Sequence, residues 1–402
     1  MLSEHLLDQA TALAPRITAL RRAIHAEPEL GLDTPLTLAK VRAELADLPL
    51  EWREGPSCTG AVAVLRGERA GRSVLLRGDM DALPMGEDTG LAFASTIPGR
   101  MHACGHDTHT AMLAGAARLL AARAGEIAGE VRFMFQPGEE GFHGARFMLD
   151  DGLLGGTDDY PLPEAAFALH IMPNAPHGMI GSRAGTLLAA ADMIDIAIVG
   201  RGGHASMPHD TRDPVPAACE IVLALQTMVT RRFNAAEAVV VTITRLDAGS
   251  AHNIIPDRAT LRGTMRTLTP ENRAAVGQAI TAVAENIAAA HECRAEVTIT
   301  EGFPPTITDA RAVALAEAVA SALPAGQFQH LAAPIMGAED FSYVLEKVPG
   351  MMGFIGVAPD GADWRHCCGI HSSRMVVDES VLPRGAAFLA GCALRFLERG
   401  WG

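Results

Sequence analysis

A change of texture partway along the chain constrains its fold more than any other feature. Up to about residue 186, short apolar runs alternate with helical periodicities. AVAVLRG (61–67) and SVLLRGD (73–79) are β-branched runs joined by a polar, Gly-containing link, and they read as strands. A helix is expected over 107–124, then the strand EVRFMFQ (130–136), a short helix near 143–150 and the strand AAFALH (165–170). Strands alternating with helices call for a mostly parallel sheet with both faces covered. From 192 to 301 the order becomes strand (DMIDIAIVG), helix (213–231), strand (EAVVVTITRL), strand (RATLRGTMRT), helix (271–290), strand (RAEVTIT). That β-α-β-β-α-β order is ferredoxin-like and can fold as its own unit. The α/β texture then returns, with helices near 309–323 and 338–347, the strand MMGFIGV (351–357) and a last helix over 380–398. The expected fold class is therefore α/β with an inserted α+β ferredoxin-like domain. Residues 1–186 and 302–402 would form the first domain and 187–301 the insertion. At the start of the chain, Leu6, Ala10, Leu13, Ile17, Leu20 and Ile24 mark one face of a single amphipathic helix ended by Pro28.

Composition narrows the partners. A net charge of −14 with no lysine or arginine run disfavours nucleic acid, which needs a basic face. No uncharged apolar run is long enough to span a bilayer, so no membrane partner is expected. The 7 cysteines are odd in number and irregularly spaced, which argues against a disulfide framework and for a reducing compartment. The first residues carry early acidic groups and lack the apolar core of a secretory signal. A cytoplasmic setting is expected.

The polar residues that carry chemistry sit just after expected strands. GDMDALP (78–84) follows one strand, QPGEEG (136–141) another, and His170 closes AAFALH. MHACGHD (101–107) precedes a helix. Sites form at the carboxyl ends of strands in a largely parallel sheet. Separate segments thus bring Asp79, Asp81, Cys104, His106, Glu139, Glu140 and His170 to one edge, and His371 in the loop after MMGFIGV can join them. A thiolate, a carboxylate and three imidazoles exceed what one tetrahedral zinc needs. Two divalent ions sharing a bridging ligand would use them well, and a thiolate can bridge.

GDMDALP, MHACGHDTHTAMLAGAA, QPGEEG, ALHIMP, GRGGHASMPH, HNIIPD, GTMRT and GAEDFSYV together resemble the M20 metallopeptidase family, closest to its amidohydrolase branch of hippurate hydrolases and N-acyl-amino-acid amidohydrolases. The likeness runs from about His25 to the C-terminal helix. It implies two divalent ions per chain (Zn, Mn, Co or Ni) held by Cys104, His106, Glu140, His170 and His371. It implies Glu139 as general base, His204 of the inserted domain as an oxyanion donor, and Asn253 as a substrate contact. Relatives outside this branch carry a ligand histidine where Asp79 stands, so Asp79 is not counted as a ligand here. Asp81 is assigned to orienting a metal-bound imidazole. The implied reaction is hydrolysis of an N-acyl amino acid by a metal-activated water, in a homodimer or higher homo-oligomer formed through the inserted domain. A dipeptidase or N-carbamoyl-amino-acid hydrolase with the same metals is the alternative, and a non-catalytic ligand-binding relative is a third reading. The intact Glu139 argues against the last.

One substrate contact follows from alternation alone. In RATLRGTMRT, Thr260, Arg262, Thr264 and Arg266 share one strand face. An arginine there can hold a free α-carboxylate bidentately, and Arg266 is the choice. His25, His102, His109 and His143 read as supporting or loop residues. WRHCCGIHS (364–372) offers His366, Cys367 and Cys368, for which packing is expected. His371 is followed by Ser372-Ser373 in place of the Ser-Pro of relatives, which bears on the loop more than on the ligand.

Overall fold

The computed structural model describes residues 2–359, 361, 363, 365 and 368–402. Two compact units emerge: Met1–Leu187 with Ile307–Ala333 and Asp340–Gly402, and Leu188–Thr306 with Pro334–Glu339.

The first unit is built on an eight-stranded sheet. In spatial order its strands are Leu50–Glu54, Ala61–Arg66, Ala128–Gln136, Arg69–Asp79, Ala165–Met172, Gly350–Gly356, Ile180–Ser182 and Phe328–His330. The four central strands, from Ala128–Gln136 to Gly350–Gly356, run parallel to one another. They are buried on both faces, which is why their sequences are nearly continuous apolar runs. The runs at 61–66 and 69–79 do not pair with each other; strand Ala128–Gln136 lies between them, antiparallel to the first and parallel to the second. Helices His106–Ala121 and Leu382–Arg399 cover the sheet, with Met112, Leu113, Phe388 and Phe396 in the core. The two helices approach closely at Gly385, where a Cβ would lie 2.0 Å from the Met112 sulfur. The segment Glu379–Arg399 is long and apolar enough by composition to cross a membrane, but 78% of its apolar window is buried inside the protein, as in a core helix.

Two expectations change. The N-terminal helix is two helices, Leu2–Ala12 and Ala14–His25. Pro15 has no N–H to donate back to residue 11, so the ladder breaks just before it. The apolar face continues across the break, since Leu6, Ala10, Ile17, Leu20 and Ile24 are all buried. The helix expected near 338–347 shrinks to Ser342–Leu345. Asp340 is spent elsewhere: its carboxylate accepts from Arg77 Nη2 at 3.2 Å and from the Ala145 N–H at 2.9 Å.

The second unit is a four-stranded antiparallel sheet in the order Val239–Ala248, Arg258–Thr267, Ala190–Val199, Arg294–Phe303. Helices Pro214–Arg232 and Pro270–Ala290 start on side-chain caps, Asp213 and Thr269. Ile194, Ile196, Ile198, Ile221, Leu225 and Ile280 fill the core between sheet and helices. This is the ferredoxin-like arrangement the order of elements calls for.

Candidate metal centre

The first unit gathers its polar side chains at the carboxyl end of the parallel strands. Strand Arg69–Asp79 delivers Asp79 and, two residues on, Asp81; Ala128–Gln136 leads into Glu139 and Glu140; Ala165–Met172 carries His170. The Cys104-Gly105-His106 turn opens helix His106–Ala121. Gly105 sits at φ 82°, and a Cβ there would lie 2.4 Å from Ile171 Cδ1. Only glycine lets the chain place a thiol and an imidazole two residues apart on this spot.

Two donor groups result, each with its atoms within 4.8 Å of one another: Cys104 with His106 and His170, and Cys104 with Glu140 and His371. They share the Cys104 sulfur and nothing else. Glu139 joins a third such group with His106 and Glu140, beside both. Cys104 Sγ lies 3.4 Å from His170 Nε2. His170 Nδ1 donates to the Ile171 carbonyl at 2.6 Å, which turns the Nε2 lone pair inward. His106 Nδ1 is 3.3 Å from Asp81 Oδ1, which frees Nε2 in the same way. His106 Nε2 and Glu140 Oε1 are buried with no aligned hydrogen-bond partner among the described residues. Glu140 Oε1 lies 3.3 Å from His371 Nε2, an ion-pair distance without hydrogen-bond alignment. Buried lone pairs without donors are costly unless something positive meets them.

Electrostatics say the same. Burial raises the Cys104 thiol above its ordinary pKa, against the pull of His106 and His371. Burial opposes charge on His106, yet Asp79 and Cys104 hold its pKa well above normal. The nearby Cys104 sulfur and Glu140 carboxylate push His371 up to about 10. Burial holds His170 well below the ordinary range, so it stays a neutral donor. A thiol, carboxylates and imidazoles so arranged are a donor set that would fit two divalent cations, with the Cys104 sulfur common to both groups. His371 supplies a further sign: it adopts φ 63°, a left-handed conformation uncommon outside glycine, and its N–H is held by the Ala103 carbonyl at 2.7 Å.

Asp81 does more than the sequence indicated. Its Oδ1 accepts the Glu139 N–H and its Oδ2 the Glu140 N–H, both at 3.0 Å, while Oδ1 also faces His106. One carboxylate thus sets the imidazole and the Glu-Glu turn together. Asp79 is committed elsewhere, with Oδ2 2.6 Å from Arg77 Nη1 and Oδ1 2.6 Å from His109 Nδ1. Arg77 was not singled out in the sequence; an arginine inside an apolar strand one residue before Gly-Asp was the available signal. His25, at a helix end, is a structural link: Nδ1 meets Asp107 at 2.8 Å and Nε2 meets Glu87 at 3.1 Å. Asp107 also takes Arg21 at 2.7 Å. His143 meets the Tyr343 hydroxyl at 2.8 Å. His102 is buried near His25, with ring centroids 6.1 Å apart. His366 and Cys367 lie outside the described residues, and Cys368 is half-buried with a free thiol.

In the second unit, Gly203–His204 pairs with Ile254–Ile255, so His204 stands opposite Ile254 and next to Asn253. The Ala205 N–H donates to the Asn253 carbonyl at 3.1 Å, and His204 Nδ1 meets the Ser206 hydroxyl at 2.7 Å. On strand Arg258–Thr267, Ala259, Leu261, Gly263 and Met265 are buried, and the arginines share the other face. Arg262 is paired with Asp195 at 3.1 Å. Arg266, half-buried, gives Nη1 to the Met265 carbonyl and meets no acidic side chain among the described residues.

Comparison with known proteins agrees with this geometry. The model of peptidase family M20/M25/M40 matches residues 75–395. An N-acetylcysteine deacetylase of Bacillus subtilis (strain 168) is 38% identical over 391 residues, 96% of this chain and 98% of that protein. The IAA-amino acid hydrolase ILR1-like 2 of Arabidopsis thaliana is 38% identical over 383 residues, 94% of this chain and 84% of that one. The crystal structure of the Bacillus subtilis YXEP protein, described as a dinuclear metal binding peptidase from the M20 family, superposes with a TM-score of 0.84 at 36% identity, covering 96% of this chain and 99% of that one.

Proposed function

The chain belongs to peptidase family M20/M25/M40, and from that membership we propose that it hydrolyses the amide bond of N-acyl amino acids, releasing a carboxylic acid and a free amino acid. It is a metal-dependent hydrolase of linear amides, like the deacetylase and amino-acid hydrolases it resembles. The single observation that carries the reading is the pair of donor groups that share Cys104, with Glu139 beside both.

Cys104, His106 and His170 would hold one divalent cation, and Cys104, Glu140 and His371 the other. Bound there, the cations would make a water acidic enough to act near neutral pH and polarise the amide carbonyl. Glu139 would serve as the general base, its carboxylate taking a proton from the attacking water and giving it to the nitrogen of the leaving amine. Asp81 fixes the backbone that carries Glu139, so the base is presented without a search. His204 is assigned to the developing oxyanion and Asn253 to the substrate, adjacent positions on one ribbon. Arg266 is assigned to the substrate α-carboxylate, because Arg262 is already neutralised by Asp195. Zinc, manganese, cobalt and nickel are the candidate ions: thiolate and imidazole suit zinc, imidazole suits nickel, and carboxylate suits manganese. We assign the insertion, residues 187–301, to dimerisation and to the lid role. The free cysteines support a cytoplasmic setting.

A panel of N-acyl amino acids, hippurate and N-acetyl amino acids included, on protein reconstituted with Zn²⁺, Mn²⁺ or Co²⁺ tests this. Each is compared with the matching dipeptide and N-carbamoyl amino acid. Preference for the acylated substrates supports the reading; faster turnover of the dipeptides would make the enzyme a dipeptidase.

A further inference from the structure

Asp79, His106 and His109 form a further compact group of potential ligands, all buried. Their bonds exclude a further cation there. Both Asp79 oxygens are taken at 2.6 Å, one by His109 and one by Arg77. Both His109 nitrogens are taken as well: Nδ1 by Asp79, and Nε2 by the Ile171 N–H at 2.9 Å.

These bonds fix the tautomer of His109. A backbone N–H only donates, so Nε2 must accept and the ring proton sits on Nδ1, directed at Asp79. Asp79 is in turn fixed by Arg77, whose Nε donates to Gln136 at 2.8 Å. The far end of this chain is His170. Ile171 is gripped twice, its N–H by His109 and its carbonyl by His170 Nδ1. The His109 ring also packs on the His170 ring, with centroids 4.4 Å apart and planes tilted by 56°.

We propose that His109, locked by Arg77 and Asp79, is a positioning residue that aims His170 Nε2 at the cation shared with Cys104 and His106. It touches neither cation nor substrate. It holds, by the N–H, the residue whose carbonyl fixes the His170 tautomer, and it packs on the ring itself, from a helix that also carries His106. The inference rests on the metal reading above.

The test uses full-length protein loaded with Co²⁺, whose visible and near-ultraviolet bands report imidazole and thiolate ligation. Wild-type protein is expected to take two Co²⁺ with a thiolate band. His109→Phe keeps the ring but loses both hydrogen bonds. It is expected to bind its first Co²⁺ about ten- to a hundredfold more weakly, with altered bands. His109→Gln, which returns an acceptor to the Ile171 N–H, is expected to recover much of the affinity. In parallel, ¹⁵N spectra of histidine-labelled wild-type protein are expected to show His109 with its proton on Nδ1. A proton on Nε2, or His109→Phe folded with native Co²⁺ affinity and bands, would overturn the proposal. If His109→Phe does not fold, the wild-type tautomer decides. Wild-type protein that takes up no Co²⁺ would instead overturn the metal reading, and this inference with it.

Discussion

At the scale of single residues, the centre depends on groups whose jobs separate cleanly. Glu139 lies beside both donor groups but is assigned to neither cation. Glu139→Gln should therefore keep about two ions per chain by metal analysis and lose at least about a hundredfold in kcat. Activity within a few-fold of wild type would move the base elsewhere. Arg266 is proposed to bind the substrate α-carboxylate. Arg266→Met should raise KM for N-acyl amino acids and leave acyl amides without the carboxylate nearly unchanged; equal damage to both would refute the carboxylate contact. The gathering of Cys104, His106, Glu139, Glu140 and His170 was legible because each stands in a short polar motif beside an expected strand or helix end. The double grip of Asp81 on Glu139 and Glu140 was not, because backbone N–H groups leave no mark in a sequence.

At the scale of elements, helix His106–Ala121 is tied to the rest of its unit by its own first turn. Asp107 is fully buried against Arg21 and His25. Burial alone would raise its pKa, but Arg21 and His25 hold the carboxyl well below the usual range. A depressed folded pKa contributes stability that is present above the unfolded value, about 3.9, and is lost as the pH falls below it. Asp107→Asn leaves Arg21 without its buried partner and should cost about 3–5 kcal/mol in denaturant unfolding near neutral pH. It should also flatten the loss of stability below about pH 4. A cost under 1 kcal/mol would show that Glu379, 3.1 Å from Arg21, suffices alone. The elements themselves were mostly legible: burial on both faces writes long apolar runs into central strands, and alternation wrote the two-sided strand of the inserted unit. Strands such as Leu50–Glu54 and Phe328–His330 were missed because short, half-exposed edges carry little apolar signal. The break before Pro15 was overlooked because the buried face runs straight across it.

At the scale of the whole molecule, the two donor groups proposed to hold the cations are unequal. Cys104, His106 and His170 are all buried, whereas the His371 side chain is 51% exposed and rides on a loop. Chelation should therefore remove the ions in two phases, and His371→Ala should retain about one ion per chain; loss of both together would show a single cooperative site. The convergence of distant segments was legible from strand ends alone, since a parallel sheet sends its chemistry to one edge. The brace of Arg77, Asp79 and His109 was not, because its partners are joined only by folding. The most direct test of the shared centre is anomalous diffraction from crystals of Zn²⁺- or Mn²⁺-loaded protein. Two peaks about 3.5–4 Å apart, with the Cys104 sulfur bonded to both, are what the geometry predicts. One peak, or Cys104 turned away from both, would contradict it.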